Sequence, residues 1–546
     1  MAEYLPPREF WPKRVYTLPE FATYAPKFNP TEELLGKAVA AGRGERTAVL
    51  FEDQKISYSQ LLTQASKLAS ALRGLGVKEG DRVVLRTPNI PPALVANFAV
   101  LKLGAVCTPT SPLFSRHEIA HVANDAEAVA IVVSAMLLGD VEGARENFQT
   151  VKHIIVVGGD AAEIKAKGFL SYGELLQSGS PTIDPVLRNR EDVGLLMYTS
   201  GTTGRPKGTV HLVEELLIVP DGFGKYGWRV TEDDVVGGSA PLAFGAGYSS
   251  YATIPYRFGA AASLIAKFDP EKMFDTIQKH RISILTLAPT AYRKMLQVPD
   301  AKSKFDLGSL RVCTGGGESL TAPTYQAWKD KFGLEIFEGL GTTEMMYVFA
   351  SNVVSRKVKA GSFGQAVPGY ELKVIDEEGK PAATNKIGRF VACGPTGTIY
   401  WRDPEKQQRA ITAEGWNLAG DFVSVDEDGY FWFVSREDDI IKSSGYRIGP
   451  EEIEVTIATH PAVADVGVIG VPDEVRGQIA KAFVVPKPGQ IVTPEDLLAF
   501  LKGKIATYKL PREIVIVSEL PRTPTGKLLR RVLKQKETAA PQPAVK

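Results

Sequence analysis

The chain has 546 residues, with 64 lysines and arginines against 63 aspartates and glutamates, for a formal net charge of +1. That balance excludes a dedicated nucleic-acid binder, which carries a basic excess or stripe. With 44% hydrophobic and 23% charged residues the composition is globular, not disordered. At about 150 residues per domain, the length allows roughly 3–4 domains, or one large α/β domain with a smaller one. The three cysteines, Cys107, Cys313 and Cys393, lie far apart with no CxxC pair. Neither a disulfide framework nor a cysteine zinc site is expected, and a histidine metal cluster is not expected either. The opening MAEYLPPREFWPKR lacks the apolar core of a signal peptide. No run reaches the ~18 apolar residues of a membrane span; residues 92–107 come nearest, and Lys102 interrupts them. These features predict a soluble, cytoplasmic protein.

Short β-branched runs alternate with helical patterns along most of the chain. Residues 82–85 read as a strand, 92–103 as a helix, and 130–134 and 153–158 as buried strands. The alternation resumes with a strand at 263–267, a helix at 271–280, a strand at 283–287 and a helix at 290–297. Strands and helices of this length in alternation predict βαβ units and mainly parallel sheets. The texture changes near residue 436, where the strand 429–435 meets the polar stretch Arg436-Glu437-Asp438-Asp439. Beyond lies an α+β pattern: helix 451–459, strands 463–471 and 482–486, helix 494–504 with Thr493 as its cap, and strand 513–517. The expected fold is therefore α/β, in two parts. A large N-terminal domain spans 1–437, and a small α+β domain spans 438–546. The basic run 528–536 reads as a solvated helix face, and the Ala/Pro-rich last ten residues as a disordered tail.

The densest local signal is YTSGTTGRPKG, residues 198–208, directly after the apolar run 193–197. Its glycines permit tight backbone geometry, its four Ser and Thr hydroxyls offer donors, and Lys207 adds charge. Such a loop after a strand suits the oxygens of a polyphosphate. It is not a Walker A loop, because Pro206 stands where the second glycine belongs. Composition alone leaves the nucleotide open.

The loop TSGTTGRPKG resembles the signature of the adenylate-forming enzymes: acyl-CoA ligases, peptide-synthetase adenylation domains and beetle luciferases. Four further elements follow in the order that family keeps. They are GLGTTE at 339–344, GWNLAGD at 415–421, REDDIIKSSGYRI at 436–448 and PRTPTGK at 521–527. GGGES at 315–319 also resembles the glycine-rich element that lies beside the adenine, where a backbone must approach a flat base closely.

The resemblance implies a role for each matched residue. Thr199, Ser200, Gly201, Thr202, Thr203, Gly204 and Lys207 would hold the ATP phosphates. Gly317, Glu318, Ser319, Glu338, Gly339, Leu340, Gly341 and Thr342 would line the nucleotide. Thr343 would touch the α-phosphate, and Glu344 would hold Mg²⁺, a hard cation that prefers oxygen ligands. Asp421 would bind both ribose hydroxyls, with Arg436 supporting the same sugar. Lys527 would bridge carboxylate and α-phosphate oxygens during attack. Asp438 matches the family's hinge, about which the small domain turns between two half-reactions. Ser444, Gly445, Tyr446 and Arg447 closely resemble the pantetheine loop of medium-chain and aryl acyl-CoA ligases. Arg476 and Lys502 fall where those ligases place cations for CoA phosphates.

Departures from the pattern bear on the acid. Phe244 replaces a histidine, as in benzoate-type and 2-aminobenzoate ligases, and Leu340 replaces a tyrosine that stacks on adenine. Phe244 and Tyr248 would supply ring faces, and Gly245, Gly247, Gly315 and Gly341 would leave room for a flat ring. His211 reads as a structural or pocket-wall residue. The resemblance implies an ATP- and CoA-dependent acid–CoA ligase for an aromatic acid such as 2-aminobenzoate or benzoate. A medium-chain fatty acid, or a carrier protein as the acceptor, is the alternative. Expected partners are a small carboxylic acid, ATP and CoA, with no nucleic acid and no membrane. A homo-oligomer is left open.

Overall fold

The computed structural model describes residues 1–200, 206–444, 446–522 and 528–539. The chain forms two compact units, Met1–Leu372 with Ala392–Asn417, and Lys373–Val391 with Leu418–Lys546.

The first unit holds two large sheets. Seven strands run in the order Pro206–Leu212, Val193–Ser200, Val106–Pro109, Arg82–Arg86, Ala128–Ser134, His153–Val157 and Leu170–Ser171. All pair in parallel except the edge strand Pro206–Leu212, which is antiparallel to its neighbour. The second sheet has nine strands with a parallel centre: Thr47–Phe51, Ala261–Ser263, Val235–Gly238, Ile284–Leu287, Val312–Gly315 and Ile336–Gly341. Parallel pairs need crossover connections. The helix Pro91–Lys102 provides one, and it is buried along nearly its whole length. Burial in protein explains the apolar run that came nearest to a membrane span; its Lys102 is paired with Glu32 at 2.5 Å. Among the described residues, no helix is long and apolar enough to cross a membrane. The strand expected at 263–267 instead occupies Ala261–Ser263. Apolar content alone does not say where sheet pairing stops.

The three cysteines are buried and unbridged. His117 and His121 stand one helical turn apart on Arg116–Asp125, but the His121 ring nitrogen Nε2 is bonded to the Pro206 carbonyl at 2.9 Å. Among the described residues, no three His, Cys, Asp or Glu side chains gather as a metal site.

The second unit is α+β. Its five-stranded sheet joins Tyr446–Ile448, Ile441–Ser443, Gly477–Pro486 and Val463–Asp473 in that order, with Glu513–Ile516 parallel to Gly477–Pro486. Ile441, Ile453, Ile457, Val468, Val484 and Leu497 form its core. Thr493 caps the helix Pro494–Leu501 through a reciprocal box with Asp496. That helix stops at Leu501, three residues before the expected end. An antiparallel hairpin, Asn417–Val425 with Phe431–Arg436, precedes the turn at residues 437–439.

The C-terminal helix Arg530–Ala539 is not the solvated face its basic sequence suggested. Leu533 is buried, and Arg530 pairs with Glu454 at 2.6 Å with both side chains 14% exposed. Burial pushes the Glu454 carboxyl above its usual range despite that arginine. The helix is thus amphipathic, with part of its charge turned inward.

Candidate active site

In the first unit the site begins where β1, Val193–Ser200, turns back into β2, Pro206–Leu212. Both ends of the connecting loop are anchored. Tyr198 donates to Asp125 at 2.6 Å, and His121 holds the Pro206 carbonyl. Gly201, Thr202, Thr203 and Gly204 lie outside the described residues. Thr199 and Lys207 are register partners across the pair, so the structure brings together the two ends of the expected phosphate loop. The Lys207 ammonium is 3.9 Å from the Asp403 carboxylate. His211 is fully buried, its Nδ1 2.8 Å from Glu215 Oε2, which agrees with a structural residue.

In the other sheet of this unit run β3, Val312–Gly315, and β4, Ile336–Gly341, with Gly315 and Glu338 in register. Gly317 has φ +83°, which the turn out of β3 requires. Two acidic residues hold that turn. Glu338 accepts from the Leu320 N–H at 2.7 Å, and Glu318 accepts from Thr290 at 2.6 Å and Arg293 at 3.3 Å.

β4 ends in Leu340 and Gly341, and past it come Thr342 and then a 3₁₀ turn, Thr343–Met345, that carries half-buried Thr343 and Glu344. The turn ends abruptly. Met346 has φ +68°, and Tyr347 N–H donates back to the Met345 carbonyl at 2.8 Å. This is the sparsely populated γ-turn, a form of stored backbone strain. Thr396 pins the same carbonyl at 3.0 Å.

Glu344 also has a partner that sequence reasoning missed. Tyr400, buried, donates its hydroxyl to Glu344 Oε1 at 3.1 Å. Burial and that carboxylate push the phenol far above its usual range, so it stays a donor. The only local signal was an aromatic pair, Tyr400-Trp401, just before the Asp403-Pro404 helix start.

The expected acid pocket differs in one respect. Backbone carbonyls occupy the space beside three of the glycines thought to leave room for a ring: Met346 at Gly245, Pro241 at Gly247 and Tyr347 at Gly341. These glycines allow chain-on-chain packing, and only Gly315 has ordinary clearance. Phe244 is half-buried, whereas Tyr248 is buried and donates to Asn97 at 2.7 Å. A cavity of about 20 Å³ lies there, lined by Tyr248, Asn97, Leu242 and Thr87 among others.

In the second unit, Asp421 and Arg436 are register partners across their hairpin, with Oδ1 and Nε 3.1 Å apart. Asp421 is buried while the Arg436 side chain is 48% exposed. Exposed Asp438 lies in the following turn, and its carbonyl accepts from Lys534 at 2.8 Å. Ser444, in a left-handed conformation at φ +49°, is tied to Arg476 twice. Its N–H donates to the Arg476 carbonyl at 2.9 Å, and its Oγ accepts from the guanidinium at 3.3 Å. Tyr446 is exposed and stacks on Tyr508 with ring centroids 4.3 Å apart. Arg447 is paired with Glu377 and lies over the Phe422 ring. Exposed Lys502 ends the helix Pro494–Leu501. Gly445 and Lys527 lie outside the described residues.

The description "AMP-binding enzyme" fits a family model that matches residues 37–401, and the C-terminal domain model of the same family matches 452–527. The chain belongs to the AMP-binding enzymes. Benzoate–CoA ligase of Thauera aromatica is 33% identical to this AMP-binding enzyme, over 92% of this chain and 95% of that protein. Acetyl-coenzyme A synthetase of Bacillus subtilis (strain 168) is 31% identical over 94% and 91% respectively. Among solved structures, the anthranilate CoA ligase AuaEII in complex with anthranoyl-AMP matches with a TM-score of 0.88 at 32% identity. That match covers 95% of this AMP-binding enzyme and 99% of that chain. Both the large N-terminal α/β part and the smaller C-terminal part conform to this family.

Proposed function

We propose that this AMP-binding enzyme is an ATP-dependent acid–CoA ligase acting on an aromatic acid such as 2-aminobenzoate or benzoate. The observation that carries this reading is the near full-length likeness to an anthranilate CoA ligase and a benzoate–CoA ligase. Phe244, in place of a histidine, supports an aromatic acid.

In the first half-reaction the acid's carboxylate oxygen bonds to the α-phosphorus of ATP, and the bond from that phosphorus to the bridging oxygen breaks. Pyrophosphate leaves, and an acyl-adenylate remains. Little covalent work falls to the protein, so positioned donors and cations carry the rate. In this reading the loop from Thr199 to Lys207 cradles the departing phosphates, Thr343 touches the α-phosphate, and Lys527 offsets the charge that grows during attack. Asp421 with Arg436 holds the ribose. In the second half-reaction the CoA thiol gives up its proton to solvent, its sulfur bonds to the acyl carbon, the bond from that carbon to the phosphate oxygen breaks, and AMP leaves. Ser444 and Tyr446 would guide pantetheine, Arg476 and Lys502 would meet CoA phosphates, and the part from Asp438 onward would turn between the two steps.

Magnesium fits this reading at Glu344. Mg²⁺ is typically bound by one or two carboxylates together with substrate phosphates rather than by an all-protein cage, and Glu344 offers a held carboxylate of that kind. Bound there, it would neutralise charge on the phosphates.

An aliphatic acid is the second reading, favoured by the likeness to an acetyl-coenzyme A synthetase. The test is AMP release across a panel of benzoates and C2–C10 acids, with and without CoA. CoA-dependent turnover highest on 2-aminobenzoate or benzoate supports the first reading, and highest turnover on an alkyl acid overturns it.

A further inference from the structure

One stretch of chain in the first unit lies alongside β2. Val210 donates to the Ile399 carbonyl at 2.8 Å, and Trp401 donates to the Gly208 carbonyl at 2.9 Å. Tyr400, between those two bonds, reaches the Glu344 carboxylate. Tyr400 is held at its backbone and at its ring. Its backbone N–H donates to Gln407 at 2.8 Å, and the Lys406 ammonium lies 3.7 Å from the ring centroid.

Two residues on, the backbone is strained: Arg402 has φ +55°, in the left-handed region that non-glycine residues rarely adopt. Such a conformation persists only where its surroundings enforce it. The enforcing contacts come from the start of the chain and from Glu127. Arg402 N–H donates to the Tyr4 carbonyl at 2.9 Å, and the Tyr4 and Trp401 rings lie 4.8 Å apart. Glu127 takes both the Arg402 guanidinium and the Tyr4 hydroxyl. Further along, buried Gln407 donates to the Phe10 carbonyl at 2.9 Å, Lys13 donates to the Gly415 carbonyl at 2.9 Å, and Val15 donates to the Gly394 carbonyl at 3.0 Å. The arm from Tyr4 to Val15 therefore grips this stretch at its middle and at both ends.

We propose that Tyr400 is a positioning residue for the Glu344 carboxylate, and that the N-terminal arm holds Tyr400 in place. The inference rests on the reading above, in which Glu344 acts on magnesium and the ATP phosphates. A carboxylate free to rotate must be ordered when the metal arrives, whereas one already held by a phenol presents a fixed oxygen. Partners of this kind typically change metal affinity about 10–100-fold when removed.

The test is ATP binding by calorimetry over a Mg²⁺ series with no acid present, alongside thermal unfolding of each variant. Tyr400→Phe keeps the ring and its packing and removes only the hydroxyl. It should raise the Mg²⁺ needed for half-maximal ATP binding about 10-fold, with a melting temperature close to wild type. Tyr4→Ala should move the requirement in the same direction by a smaller factor. Glu344→Gln separates the two ideas. If it raises the Mg²⁺ requirement and Tyr400→Phe does not, the positioning role falls and the functional reading stands. If Glu344→Gln leaves the requirement unchanged, both fall. In the double variant Tyr400→Phe adds nothing to Glu344→Gln if the phenol acts through that carboxylate; a full additive shift overturns the proposal. A Tyr4→Ala protein with wild-type Mg²⁺ dependence removes the arm from it.

Discussion

The backbone carbonyl of Met346 occupies the space that a β-carbon on Gly245 would need. Met346 is itself in a strained γ-turn, and Gly245 opens the short helix Gly245–Tyr248, so neither side yields freely. Gly245→Ala should destabilise the protein by about 1–3 kcal/mol, the usual cost of overpacking. Because Phe244 is its neighbour, KM for the acid should rise more than KM for ATP. Thermal unfolding and steady-state kinetics check both, and an unchanged melting temperature would mean the two segments part without strain.

Lys527→Ala should separate the half-reactions. If the lysine offsets charge during attack on ATP, adenylate formation should slow about 10²–10³-fold. Thioester formation from supplied acyl-adenylate should largely survive. Equal loss in both steps would contradict the role.

Asp438→Pro tests the pivot. Proline fixes φ near −65° and removes an N–H, in a turn whose carbonyl is held by Lys534. Adenylation should stay near normal while transfer to CoA drops, so acyl-AMP accumulates on the enzyme. Single-turnover quantification of acyl-AMP and acyl-CoA reads the result. Wild-type rates of acyl-CoA formation would move the pivot elsewhere.

Acid stability should depend in part on His280. Its Nδ1 is 2.7 Å from Ser263 Oγ and its Nε2 is 2.9 Å from the Glu52 carbonyl. Burial, reinforced by Lys279, pushes the imidazole below its usual 6.5. As pH falls, the unfolded ring takes up its proton before the folded one. The stability tied to the neutral ring is therefore present above pH ~6.5 and lost as pH drops through the folded value. Between about pH 7.5 and 5.5 the melting temperature should fall more steeply for wild type than for His280→Gln. Parallel profiles would remove His280 from the account.

Much of this architecture was readable from local pattern. The run 82–85 became Arg82–Arg86, helix 271–280 became Pro270–His280, and Thr493 forms the capping box expected of it. Each rests on forces acting within a few residues: β-branching, helical periodicity, a side-chain oxygen meeting a free N–H. The motif elements were equally plain, because glycines, hydroxyls and charges recur in fixed order. What escaped was set by distant chain. The aromatic pair at Tyr400 does not point to Glu344, and nothing near Arg530 points to Glu454, because those partners are separated by 56 and 76 residues. The glycines of the expected acid pocket misled for the same reason. Their missing side chains make way for carbonyls of Pro241, Met346 and Tyr347, not for a ligand.

The buried cysteines turn this chain into its own conformational counter. Burial lifts the Cys313 thiol to about 12 and the Cys107 thiol further, and the thiolate is the reactive form. An alkylating reagent at neutral pH then modifies only molecules that have opened, so labelling kinetics report opening rather than surface chemistry. Val475→Cys, at a position 92% exposed, would accept a dye with no competing surface thiol and leave the interior three as an internal check on integrity.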